Sequence, residues 1–85
     1  MPYIKKEDRI NITSPNSVGE LNYMISMIAL SYLENKGLNY QTINDIIGAF
    51  DCAKNEFYRR AAVPYENEKI KTNGDIYTKE LRGVL

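Results

Sequence analysis

Lys54, Tyr58, Arg59 and Arg60 lie close together along the chain and form its clearest cluster of groups able to do chemistry. Two guanidinium forks bind phosphate or carboxylate bidentately, and a tyrosine ring offers a face on which a base can stack. The pattern therefore points to a small anionic, nucleotide-like ligand. Arginines near the end of a helix also favour the helix dipole on purely structural grounds. Lys54 falls in the middle of an apolar stripe. Its stem packs there while its ammonium reaches water, or it pairs with a buried acid such as Glu20, or it meets an anionic ligand in a pocket.

Other chemistry is poorly provided for. The chain has no histidine, so neither a Cys–His nor a Ser–His nucleophile can be assembled, and no G-x-x-x-x-G-K-[ST] loop is present. Cys52 is the single cysteine, which excludes a disulfide within the chain and a cysteine-rich zinc site and fits a reducing compartment. Asp45, Asp51 and Glu56 are candidate carboxylate ligands, but Asp45 and Asp51 point to different helix faces and lack the Glu–His pairing of di-iron bundles. The expectation is a non-enzymatic protein with no metal and no cofactor.

The elements that must position the cluster are helical. Ile43, Ile46, Ile47, Phe50, Ala53, Phe57 and Ala61 recur three and four apart as periodic core positions, and this spacing predicts a long helix over 42–63 with Asn39 as its cap. Pro64 removes an amide donor and clashes with the carbonyl of Arg60, so a break or kink is expected there. A third helix over 64–72 follows, with Pro at its start, Glu66 and Glu68 early, Lys69 and Lys71 late, and Asn73-Gly74 as its stop.

The first helix is expected over 17–36. Ser17-Val18-Gly19-Glu20 has the form of a capping box, and Gly37 stands where a left-handed cap forms most easily. It carries two apolar stripes: Val18, Leu21, Ile25, Ile28, Ala29 and Tyr32 on one side, and Tyr23, Met27 and Leu30 nearly opposite. A helix that is apolar on both sides must be covered on both sides. Tyr23, Met27 and Leu30 are accordingly the candidate interface of a homo-oligomer. The remaining segments read as an arm, 1–16, docking through Tyr3 and Ile4, and a tail, 75–85. The sum is a single all-α domain over 1–85, a small bundle of about three helices.

Composition limits the partners. Eleven basic residues balance eleven acidic ones, and the balance holds in each half of the chain. DNA or RNA binding is disfavoured, because phosphate-backbone contact needs a surplus of Lys and Arg on some face. No apolar run reaches 18 residues and the N-terminus has no signal-like stretch, so a cytoplasmic protein away from membranes is expected. The seven tyrosines, with no tryptophan, suit half-wet interfaces.

Met1-Pro2-Tyr3-Ile4, Gly19-Glu20-Leu21-Asn22-Tyr23, Asn44-Asp45-Ile46-Ile47-Gly48, Cys52-Ala53-Lys54, Glu56-Phe57-Tyr58-Arg59-Arg60, Pro64-Tyr65-Glu66 and Asn73-Gly74-Asp75-Ile76-Tyr77 together resemble a family of small uncharacterised proteins of bacteria and their phages. The resemblance implies a bacterial or phage-infected cytoplasm and adds no catalytic residue. The leading expectation is a homo-oligomer that sequesters a nucleotide-like anion through Lys54, Tyr58, Arg59 and Arg60. The alternative is an adaptor or inhibitor that offers an apolar helix face to a host or phage protein, and a nucleic-acid-binding regulator comes third.

Overall fold

The computed structural model describes residues 4–10, 13–77 and Gly83, and all regular structure among them is helical. The docking role expected of Tyr3 and the placement of tail residues Leu81, Val84 and Leu85 lie outside the described residues. The chain divides into two compact units, Met1–Gly48 and Ala49–Leu85.

In the first unit, a 3-10 turn over Lys6–Arg9 precedes helix α1, Val18–Lys36. The Ser17 half of the capping box forms as its sequence requires, and the Glu20 half reaches one residue further back, to Asn16 instead of Ser17. Ser17 is extended, its Oγ accepts the Glu20 amide at 3.1 Å, and Glu20 Oε1 reaches back to the Asn16 amide at 3.0 Å. One of the amides that a helix N-terminus leaves without partners is thereby satisfied, and the amide just before the cap is held as well. At the other end Gly37 donates its amide to Leu33 O at 2.7 Å. Its φ of 88° and ψ of 157° differ from the left-handed cap expected of this position and fall in a region open to glycine alone.

Helix α2, Tyr40–Phe57, starts two residues earlier than the apolar period indicates. Asn39 sets this start: its Oδ1 accepts the Thr42 amide at 2.9 Å and its carbonyl accepts the Ile43 amide at 3.1 Å. Asp45 then ties the opening of α2 to α1. One carboxylate oxygen accepts the Tyr32 hydroxyl at 3.0 Å and the other accepts Gln41 Nε2 at 2.8 Å. The bond to Asp45, with its charge and partial desolvation, holds the Tyr32 phenol above its ordinary pKa, because ionisation would lose the donor and set two anions face to face.

In the second unit, the helix does not end at Pro64, and the irregularity expected there takes the form of a widened turn. Phe57, Ala62 and Val63 all keep helical dihedrals, and Tyr58–Ala62 form a π turn that leads directly into helix α3, Val63–Asn73. The Val63 amide reaches five residues back, to Tyr58 O. A proline inside an α-helix leaves a carbonyl without a donor and pushes its ring against it. A widened turn loosens the ladder at that place, and the helix absorbs Pro64 near the start of α3 instead of ending there. At its close α3 runs one residue past the expected end. Gly74, at φ 87°, donates to Ile70 O at 2.9 Å, and Asp75 Oδ1 accepts the Tyr77 amide at 2.9 Å to turn the chain.

The all-α class is as the periodicity indicates, but a bundle needs a shared core. Among the described residues no apolar side chain is fully buried, and the single buried residue is Thr42, at 3% exposure. The described residues therefore provide no packed interior of the kind a bundle requires. The apolar periods are correct as helix faces and are left facing water.

Candidate functional site

The cluster named from sequence falls on the irregular part of the second unit. Tyr58, Arg59 and Arg60 are the first three residues of the π turn, and all are exposed. Side chains four apart on a helix lie on the same face. Arg60 stands four residues after Glu56, with a guanidinium nitrogen 3.9 Å from the carboxylate and both side chains largely in solvent (74% and 63%). A contact of this length and exposure contributes a few tenths of a kcal/mol. Arg60 is thus lightly held and free to exchange partners. Lys54 is exposed on α2 and does not enter the groove described next.

Cys52, Ala53, Glu56, Phe57, Arg60 and Ala61 line an open depression of ≈ 490 Å³. All six lie on one stretch of helix, so it is a groove along a helical surface and not an enclosed pocket. Its floor is set by the small residues Ala53 and Ala61, which flank Phe57 four residues to either side. Phe57 itself is 70% exposed. The sequence pattern made Phe57 a core position; the structure makes it the most prominent apolar feature of this surface. The available signal was its pair of alanine neighbours, which leave an aromatic ring standing above its own helix.

In the first unit, the stripe of Tyr23, Met27 and Leu30 is partly covered by the chain's own arm. Ile4 and Arg9 wall a depression of ≈ 200 Å³ whose other sides are Asn22, Tyr23, Ser26, Met27 and Leu30. Arg9 donates from Nε and Nη2 to Ile4 O at 3.3 and 3.2 Å, and its guanidinium lies 5.9 Å from the centre of the Tyr23 ring. This is a cation–π contact worth about 0.5–1 kcal/mol at an exposed site. Sequence reading identified Ile4 as a docking residue but gave Arg9 no role. Met27 and Leu30 keep about half their surface in water.

Among the described residues no three metal-ligating side chains come together, and no helix is long and apolar enough to cross a membrane. Two of the carboxylates considered as ligands are otherwise engaged: Asp45 by Tyr32 and Gln41, Glu56 by Arg60.

A family model described as Domain of unknown function (DUF6899) matches residues 1–76. The chain belongs to this family. The match takes in the arm, α1, α2, the π turn and α3, so both surfaces described above are parts of the DUF6899 domain. No curated protein and no solved structure matches the chain.

Proposed function

We propose that this DUF6899 protein is a non-enzymatic binding protein that works as a homo-oligomer and sequesters a small, nucleotide-like anion in the cytoplasm of a bacterium or a phage-infected cell. The observation that carries the reading is the absence of any fully buried apolar side chain among the described residues, on helices whose faces are nevertheless well patterned. Helices of this length gain most of their stability from packing an apolar face against something. A second copy supplies that something, and the three-helix packing expected from the sequence is then completed between chains. The stripe of Tyr23, Met27 and Leu30 is one face available for it.

Support for the ligand comes from the π turn. Such turns are uncommon and concentrate at functional sites. This one presents Tyr58, Arg59 and Arg60, with Lys54 one helical turn earlier. In an oligomer the cluster is repeated, and two weak sets of donors form one composite site. Native mass spectrometry of the protein purified from host lysate, with and without a panel of nucleotides, tests both parts. An oligomer with added ligand mass, lost in the Arg59→Ala/Arg60→Ala variant, is the expected result. A chain of unchanged mass across the panel refutes sequestration, and a monomer at micromolar concentration refutes the assembly.

The adaptor reading is favoured by the half-exposed Met27 and Leu30 on α1. It predicts one stoichiometric host protein in a pull-down, released by Met27→Asp.

A further inference from the structure

A homo-oligomer with two-fold symmetry needs a surface that is complementary to itself when the chain direction is reversed. The groove beside Phe57 has this property. Ala53 lies four residues before Phe57 and Ala61 four residues after it, so reversal about Phe57 exchanges the two small residues and returns the ring to itself. Glu56 and Arg60 occupy the same edge of the groove, one acid and one base, four residues apart. When a second helix runs antiparallel against this face, that edge meets the same edge of its partner. Glu56 then lies within about 3 Å, along the helix axis, of the opposing Arg60, from a rise of 1.5 Å per residue.

We propose that this groove is a two-fold contact with a second copy of the chain. The two helices are antiparallel, the two Phe57 rings meet at the two-fold axis with the Ala53 of each copy opposite the Ala61 of the other, and Glu56 of each faces the partner's Arg60. The inference rests on the homo-oligomer reading and specifies its interface. Three features of the groove fit this occupant better than an unrelated protein. The groove is balanced in charge, with one acid and one base on a single edge. Its bulky residue stands beside cavities of its own making. Its internal ion pair is long and exposed, so exchanging Glu56–Arg60 within a chain for the same pair between chains gives up little. The pairing also sets Lys54 and Tyr58 of both copies along the opposite edge, which gathers the candidate ligand groups from two chains.

The test uses charge reversal in trans. Glu56→Arg places like charges opposite each other twice in its own dimer, and Arg60→Glu does the same with acids. Each variant alone is expected to raise the dimer dissociation constant about tenfold, from two exposed ion pairs per dimer. An equimolar mixture restores both pairs. Native mass spectrometry should show the mixed dimer well above the statistical half, with affinity returned to near that of the unaltered protein. A role for Glu56–Arg60 confined to one helix cannot be rescued by mixing.

Direction is read separately with single cysteines in a Cys52→Ser background. Ala53→Cys and Ala61→Cys chains are expected to form a disulfide-linked dimer when mixed and oxidised, and neither does so alone. Cross-linking of either variant with itself indicates parallel helices and overturns the proposal. An oligomer unaffected by both charge reversals, with no cysteine link in the mixture, places the interface elsewhere and leaves the homo-oligomer reading intact. A chain that is monomeric at every concentration removes both.

Discussion

Replacing Phe57 with alanine separates assembly from folding, because the ring touches so little of its own chain. It is 70% exposed, and a phenylalanine side chain offers about 200 Å² for burial, so about 140 Å² remains for a partner to cover. At about 25 cal/mol per Å² that area is worth about 3.5 kcal/mol if fully covered. An alanine methyl retains part of it, leaving a loss of about 2 kcal/mol per protomer. Two protomers lose about 4 kcal/mol, which raises a dimer dissociation constant by about a thousandfold. An exposed substitution within one chain alters its stability by about 0.5 kcal/mol or less. Sedimentation equilibrium, run over a hundredfold concentration range beside far-UV circular dichroism, is the assay. The oligomer should dissociate in Phe57→Ala at concentrations where the unaltered chain stays assembled. Thermal unfolding of the unaltered chain should rise with concentration, as linkage requires. Unchanged association in Phe57→Ala refutes the assignment of this ring to an interface. Helicity lost at the highest concentrations, where assembly persists, refutes the premise that the ring is dispensable within its own chain.

Other outcomes follow from the first unit and its caps. Ser17→Ala removes the acceptor of the Glu20 amide and should cost about 1 kcal/mol in denaturant unfolding, whereas Ser17→Asp should preserve stability. Gly37→Ala meets no neighbouring atom, yet it forces a side chain onto a φ of 88°; a loss of about 1–3 kcal/mol is expected from backbone strain alone. Tyr32 should ionise above the ordinary tyrosine range in an alkaline absorbance titration, and the Asp45→Asn variant should bring it down. The sign follows from its raised pKa in the folded chain: its stabilising contribution is complete below pH 10, the unfolded value, and is lost as pH climbs through the higher folded value.

Local features were legible in the sequence because they depend on neighbours a few residues away. Ser17 with Glu20 and Asn39 with Thr42 form as residue type and spacing dictate, and the helices stop at Gly37 and Gly74 as expected, though with ψ near 150° in place of the left-handed cap. Pro64 marks an irregularity in the helix, as its type requires, but not its end, since the chain widens one turn and continues. The apolar period of α2 was read correctly as a face and wrongly as an interior, because periodicity reports which residues share a side and not what lies against it. Arg9 gave no signal at all: its bond to Ile4 O and its approach to Tyr23 arise only once the 3-10 turn brings the arm over α1. Of the candidate site, the residues Tyr58, Arg59 and Arg60 were visible as a cluster. Their placement on a π turn was not, since no residue type specifies one.

The π turn also bears on chain length. Measured against a regular α ladder, it accommodates one residue more than the helix needs between Phe57 and α3. Single-residue gains or losses in a helix ordinarily rotate everything beyond them out of phase, but here a loss can be healed by closing the turn back to α geometry. A chain altered to lack Pro64 has no use for the extra residue. Pro64→Ala combined with deletion of one residue between Phe57 and Val63 should therefore keep its helical circular dichroism, where the same deletion beside an intact Pro64 should lower it.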